Sequence, residues 1–533
     1  MVFSSSVFLF FFLPIVLCLY YNPVNRKPKL FIASAFMVTA ALFLVLVPFH
    51  IPVRILFWLA LIIGSFYFIS CPAQEDSSTA ERNIRNLILL LASLLFYAYG
   101  EPVYVLLLLA SIVVNWAFGL WLGRRSNTVP KKKRIVALNL VYNVGVFFVF
   151  KYLNFTIGNL NSLLNLQMPL TKLLLPIGIS FYTFQAISYI IDIYREEVPP
   201  EKNPLKVGLY IAMFPQLIAG PIVRYNTISQ ELTTRRETKS DFAAGVLHFT
   251  GGLGKKVLLA NPCAYLADTA FGSGNELTTL MAWVGAVAYS FQIYFDFSGY
   301  SDMAIGLGKM FGFHFMENFN FPYIANSITD FWRRWHISLS SWFRDYVYIP
   351  LGGSRVNSFA RMVFNLLVVW LLTGFWHGAN WTFLCWGLFY FLLLLAERIT
   401  GISKKTSSWG YLYTMPMVIF GWVLFRASNI SEAWFYLKTM FGLTGSGWCS
   451  PRDLFNVSEY LPFLLASLVF CFPGFKFLLS HRFFRPFFFK WIPAKILCRI
   501  LNIGIFLFVL LVFMLSVSYI IKSTNNPFIY FNF

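Results

Sequence analysis

Two histidines stand where chemistry could occur. His377 lies in Leu372-Thr-Gly-Phe-Trp-His-Gly-Ala-Asn-Trp381, and no Asp, Glu, Lys or Arg occurs between Arg361 and Glu397. It is the only side chain in that interval that titrates near neutral pH, so it can give or take a proton there. Gly374 and Gly378 flank it and let the backbone bend or a substrate approach closely. Trp376 and Trp381 supply walls. An ionisable group in so apolar a segment is a functional candidate by default. The structural alternative is a histidine that hydrogen-bonds a helix partner or marks an interfacial hairpin.

His336 comes in a different setting. Ser327 and Asp330 have the form of a capping box that opens a helix. Ile328, Phe331, Trp332, Trp335, Leu339 and Trp342 then follow i, i+3, i+4 spacing and fall within an arc of about 100°. The spacing predicts one amphipathic helix, closed by Arg344, Asp345 and the turn Pro350-Leu-Gly-Gly353. His336 sits on the flank of its apolar stripe. Arg333, Arg334, Ser338 and Ser341 lie outside it. A histidine so placed serves structure or catalysis, and spacing does not choose.

Two further stretches carry polar groups at membrane depth. Gln292-Ile-Tyr-Phe-Asp296-Phe-Ser298-Gly299-Tyr300-Ser-Asp302 holds two carboxylates six apart. Paired carboxylates can do acid–base work. The favoured reading is that they hold neighbouring helices by hydrogen bonds or pairs with arginine. No metal site can be assembled around them. Phe214-Pro-Gln-Leu-Ile-Ala-Gly-Pro-Ile-Val-Arg224 is broken by Pro215, Gly220 and Pro221. It reads equally as a re-entrant element lining a chamber and as a Pro-kinked packing helix.

The elements that position these residues follow from composition. Of 533 residues, 58% are hydrophobic, 20% aromatic and only 12% charged. That charged share is about half the soluble norm. A soluble globule, disorder, collagen and coiled coil are excluded. The apolar runs are continuous, not alternating, so the fold class is all-α, a polytopic integral membrane protein. Candidate runs lie at 7–21, 30–50, 51–70, 87–100, 102–122, 135–155, 173–193, 207–223, 242–260, 279–307, 362–378, 379–396, 411–425, 460–479 and 496–521. Several are short or interrupted, so about ten to twelve spans plus re-entrant and interfacial helices are expected.

Net charge is +20. The basic residues sit in short blocks between apolar runs, such as Arg124, Arg125 and Lys131 to Arg134. They read as cytoplasmic loops rather than a nucleic-acid surface. A basic loop can also hold an anionic substrate such as a coenzyme A phosphate. The seven cysteines form no CxxC pair or regular framework, so no disulfide or structural zinc is expected. Arg26, Lys27 and Lys29 follow the first apolar run instead of preceding it, so that run reads as a membrane helix and not a signal peptide. No repeat and no separate soluble domain is visible. The chain reads as one membrane domain over 1–533, with variable helices at 1–85, a catalytic region at 86–440 and C-terminal helices at 441–533.

Several long motifs occur together and in order: Phe96-Tyr-Ala-Tyr-Gly-Glu-Pro102, Leu175-Pro-Ile-Gly-Ile-Ser-Phe-Tyr-Thr-Phe-Gln185, Phe214–Arg224, Tyr294–Gly306, Phe331–Gly353 and Gly374–Phe383. The chain therefore resembles the membrane-bound O-acyltransferase family, in particular its bacterial branch of alginate and peptidoglycan O-acetyltransferases. The resemblance covers most of 86–440. Residues 30–70 depart from it by two extra apolar runs. It implies a many-helix fold around a tunnel, with His377 as the family's active-site histidine and His336 at its second polar position. In the implied reaction, His377 takes the proton of an attacking hydroxyl and His336 orients substrate or polarises a thioester carbonyl. Arg333, Arg334 and Arg344 are candidate contacts to donor phosphates. The implied donor is acetyl-CoA, with no bound cofactor and no metal. The implied partners are the lipid bilayer of the inner membrane and a secreted or membrane-anchored esterase-like protein that completes acetyl transfer to an extracytoplasmic polysaccharide. D-alanyl transfer to teichoic acid, lipid or protein acylation, and secondary transport are the alternatives.

Overall fold

The structure is a computed structural model that describes residues 1–21, 77–402, 409–474 and 494–522. The apolar runs at 30–50 and 51–70 lie outside the described residues. Every regular element among the described residues is helical. In chain order the main ones are α1 (Leu13–Tyr21), α2 (Ser77–Gly100), α3 (Val105–Leu122), α4 (Val129–Lys151), α5 (Leu153–Leu164), α6 (Ile179–Tyr194), α7 (Pro204–Ala212), α8 (Lys239–Gly254), α9 (Asn261–Phe271) and α10 (Thr279–Met310). They continue as α11 (Ile328–Arg334), α12 (Ile337–Phe343), α13 (Phe359–His377), α14 (Trp381–Thr400), α15 (Trp409–Arg426), α16 (Ile430–Met440), α17 (Pro451–Phe470) and α18 (Ala494–Lys522).

Seven described helices are long and apolar enough to cross a membrane: Glu81–Gly100 within α2, α3, α4, α13, α14, α17 and Asn502–Lys522 within α18. With the composition, they make the chain an integral membrane protein. The 32-residue α10 is long enough too, but its polar residues lower its hydropathy. Those residues are sheltered: Gln292, Asp296, Ser298 and Ser301 are all buried.

The chain forms two compact units that interleave in sequence. The first takes in 1–153, 169–242 and 311–314. An asparagine ladder ties α3 to α4 within it. Asn115 Oδ1 accepts from Asn139 Nδ2 and from Asn143 Nδ2, both at 2.9 Å. Such pairing satisfies amides that hydrocarbon cannot. Two of the sequence motifs also meet here, since Glu101 Oε1 accepts the amide of Ile177 at 3.1 Å. The 214–224 segment is broken backbone: α7 ends at Ala212, a four-residue helix covers Phe214–Leu217, and no helix follows until Tyr225. Phe214 to Val223 are all buried, so protein shelters this irregular stretch.

The second unit takes in 154–168, 243–310 and 315–533. α8 runs through a π-helical turn, Lys255–Ala260, into α9. Pro262, the second residue of α9, has no N–H to offer the preceding turn, which accounts for the change of register. α10 packs against α8 through glycines. A Cβ on Gly252 would lie 2.4 Å from the Gly299 carbonyl oxygen, and one on Gly306 would lie 2.6 Å from that of Gly245. Asp296 pairs with Lys256 and Asp302 with Lys255, each at 2.6 Å. The two carboxylates thus hold helices together, as the favoured sequence reading expects, but their charged partners are lysines and not the expected arginines.

Candidate active site

His377 is the last residue of α13. Gly378 is extended, and Asn380 caps α14 by accepting the Thr382 amide at 3.1 Å. The α13–α14 hairpin is consequently tight. Gly374 and Gly387 let the two helices cross closely, since a Cβ on either would lie 3.4 Å from the other's Cα. The His377 ring is buried among four aromatic rings. Their centroids lie at 4.9 Å (Trp376), 5.1 Å (Trp386), 5.0 Å (Phe425) and 6.5 Å (Phe383). Trp386 and Phe383 come from α14, and Phe425 from α15.

The continuous amphipathic helix expected across 327–344 is not formed. It divides into α11 and α12, and the residue between them is His336, with φ +44° and ψ +55°. A left-handed backbone is uncommon outside glycine, although histidine is among the residues that tolerate it best. The break turns His336 from the flank of a stripe into the interior, where it is 1% exposed. Phe297 of α10 packs edge-on at 4.5 Å, and Trp376 lies at 6.1 Å. Trp376 is therefore in ring contact with both histidines. The Ser327–Asp330 signal is formed in its forward half, with Ser327 Oγ accepting the Asp330 amide.

Burial alone pushes the His336 imidazole down to about 3, which keeps it neutral at physiological pH. Its Nδ1 lies 3.2 Å from Asn318 Oδ1. The same oxygen accepts the Ser338 amide at 3.1 Å and the Ser338 hydroxyl at 2.9 Å. His336 Nε2 has no hydrogen-bond partner among the described residues. A buried polar atom left unpaired is costly, so Nε2 is available to a polar group from outside the described residues.

The arginines differ from one another. Arg334 pairs with Asp330 at 2.9 Å, and Arg344 grips Asp345 through two nitrogens at 2.6 and 3.0 Å. Both charges are locally balanced. Arg333 is exposed, with no ion pair to a described residue. Sequence reasoning missed Asn318, which lies 18 positions before His336 in a stretch without periodicity. It also missed Phe425, whose place beside His377 depends on the return of α15.

Two buried histidines around one tryptophan, on a polytopic helical frame, suit transfer chemistry away from bulk water. Comparison with known proteins decides the family. The model of MBOAT, the membrane-bound O-acyltransferase family, matches residues 201–431. A probable alginate O-acetylase AlgI of Pseudomonas aeruginosa is 40% identical over 485 residues, covering 89% of this chain and 82% of that protein. The chain belongs to the membrane-bound O-acyltransferase family. It is an acyltransferase of the membrane. A peptidoglycan O-acetyltransferase of Helicobacter pylori is 35% identical over 501 residues, covering 84% of this chain and 91% of that protein. A teichoic acid D-alanyltransferase of Bacillus subtilis is 30% identical over 274 residues, covering 47% of this chain and 68% of that protein. The family match includes His336, His377, Asn318 and all three arginines.

Proposed function

We propose that this acyltransferase moves an acetyl group from cytoplasmic acetyl-CoA across the inner membrane, toward hydroxyls of an extracytoplasmic polysaccharide or peptidoglycan. Similarity over 84–89% of the chain to proteins named for alginate and peptidoglycan O-acetylation supports this acceptor class. The D-alanyl relatives match less than half of the chain. A secreted or membrane-anchored esterase-like partner would complete delivery to the polymer.

The observation that carries the reading is the pair of buried histidines in ring contact with Trp376. A thioester is already activated, so transfer needs no covalent enzyme intermediate. It needs one group to take the proton of the attacking hydroxyl, a contribution of about 10²–10⁴-fold. His336 and His377 divide that task and the handling of the donor. Arg333 has its guanidinium open to donor phosphate, while Arg334 and Arg344 would have to share theirs with Asp330 and Asp345. Raised donor KM in Arg333→Ala, with kcat kept, would support a phosphate contact.

The test is acetate released by mild base from envelope glycans, in cells carrying wild-type protein or His377→Ala at equal membrane abundance. Loss of ester-linked acetate in the variant is expected. Equal acetate in both would overturn the reading, and D-alanine ester lost from the same samples would replace it.

A further inference from the structure

We infer that Asn318 is a positioning residue that fixes His336 as the Nδ1-protonated tautomer, so that Nε2 accepts the hydrogen of the attacking hydroxyl. The Ser338 amide fixes which way the Asn318 side chain is turned. A backbone N–H only donates, so the Asn318 atom that faces it at 3.1 Å must be the carbonyl oxygen. Turning the amide over would set Nδ2 against that N–H, donor against donor. With Oδ1 so fixed, the His336 nitrogen 3.2 Å away must be the one that carries the hydrogen. A neutral imidazole has one N–H, so Nε2 holds the bare lone pair.

This choice has a chemical consequence. A bare Nε2 can accept a hydrogen bond but cannot donate one to a thioester carbonyl. Of the two roles the resemblance implies for His336, orienting the substrate is compatible with this tautomer and polarising the carbonyl is not. In the step, the hydroxyl oxygen bonds to the thioester carbonyl carbon and its proton passes to Nε2. The carbon–sulfur bond then breaks, and the proton moves on to the departing thiolate. His336 returns to its neutral state. Asn318 Oδ1 supports the transient charge through Nδ1–H.

The groups facing His336 are Phe297 from α10, Asn318 and Phe319 from the preceding loop, Ser338 from α12 and Trp376 from α13. None of them is charged; Ser338 Oγ also lies 3.5 Å from Nδ1, but its hydrogen goes to Asn318 Oδ1 at 2.9 Å, which leaves Oδ1 as the closer acceptor for Nδ1–H. The second job of Asn318 is mechanical. Its backbone oxygen accepts the Ile337 amide at 2.9 Å, and with Oδ1 it caps α12 from a distance. A test has to separate these jobs.

The test uses the full chain in lipid bilayers, labelled with ¹⁵N-histidine, with His336→Gln identifying the relevant resonances. Wild type is expected to show protonated Nδ1 and bare Nε2 at His336. Asn318→Leu is expected to mix the tautomers and to lower ester-linked acetate by at least about tenfold. Asn318→Asp keeps an acceptor for the Ser338 amide. It should hold the tautomer, retain more acetate than Asn318→Leu, and raise the ring's protonation midpoint by about one to three pH units. A protonated Nε2 in wild type overturns the inference, and so does an Asn318→Leu protein with unchanged tautomer and acetate. The role in proton transfer rests on the acetyl-transfer reading, but the tautomer does not. Wild-type protein that supports no acetate ester would sink that reading while the spectra still decide on Asn318.

Discussion

Glu397 and Thr329 are joined twice, since Glu397 Oε2 accepts the Thr329 amide at 2.9 Å and its hydroxyl at 2.6 Å. The other oxygen of the carboxylate accepts the Ile328 amide at 2.5 Å. These amides open α11, the helix that leads to His336. Glu397 stands near the end of α14, whose first turns place Phe383 and Trp386 against His377. One helix therefore sets both histidines.

Glu397→Ala should leave the α11 amides without acceptors at a site where Glu397 is 2% exposed. The expected loss is roughly 1–3 kcal/mol of stability, with acetate transfer falling further than membrane abundance does. Glu397→Gln keeps one acceptor oxygen and should lie between. Thermal unfolding in detergent and base-labile acetate measure the two effects. A Glu397→Ala protein with wild-type transfer would show that α11 holds its place without the clamp.

How much of this was legible in the sequence depended on whether the signal was local. The charge-free interval around His377 pointed to a buried, functional histidine, and the hairpin glycines beside it pack as close-approach positions do. The helix break at His336 was hidden. Apolar spacing is the same on both sides of a single left-handed residue, so Phe331, Trp335, Leu339 and Trp342 read as one stripe. Asn318 was hidden for a different reason. Its partners are 18 and 20 positions away, and no periodicity connects a loop amide to a helix start. The ion pair of Arg334 could have been read, because Asp330 lies four residues before it on the same helix face, whereas adjacent residues such as Arg344 and Asp345 carry no such signal.

A second prediction concerns pH. Glu237 is approached by Arg82, by Arg85 at 2.8 Å and by the Tyr20 hydroxyl. Burial alone would raise its carboxyl, but the Arg82 and Tyr20 hydrogen bonds and the Arg82 and Arg85 charges outweigh it and bring it down to about 2. A depressed carboxylate stabilises above its unfolded value, near 4.5, and that contribution fades as pH falls toward 2. Glu237→Gln should cost on the order of 3 kcal/mol near neutrality, because Arg82, Arg85 and Arg235, whose Nε lies 3.6 Å from Oε1, lose their counter-charge. The gap in unfolding temperature between wild type and variant should hold from pH 8 to 5, then narrow below about 4.5. A gap unchanged at pH 3 would assign the stabilisation to something other than this carboxylate.

The α13–α14 crossing gives a third. A Cβ on Gly387 would meet the Trp370 carbonyl oxygen at 2.5 Å, and one on Gly374 would meet that of Phe383 at 2.4 Å. Backbone cannot move aside as a side chain can. Gly387→Ala should cost about 1–3 kcal/mol, and by parting the helices it should shift His377 from Trp386 and Phe425. Gly251 on α8 has nothing within 4 Å of an added Cβ. Gly251→Ala should therefore be neutral or stabilising by up to about 1 kcal/mol. Unfolding temperatures of the two variants side by side make the comparison. Equal effects would mean that helix propensity, and not close approach, governs these positions.

The asparagine ladder between α3 and α4 gives the last. Asn139 Nδ2 has Asn115 Oδ1 as its acceptor, and Asn143 Nδ2 has both Asn115 Oδ1 and Asn139 Oδ1. Asn115→Leu should strand the Asn139 amide in an apolar setting and cost about 1–2 kcal/mol. Replacing all three by leucine removes the stranded groups together with their partners. Hydrogen bonds are modest in net value and dear only when half-made, so the triple variant should recover much of the loss. Thermal unfolding of the single and triple variants in the same detergent reads this directly. A triple variant less stable than the single would show that the ladder contributes net attraction between α3 and α4, beyond the satisfaction of its own amides.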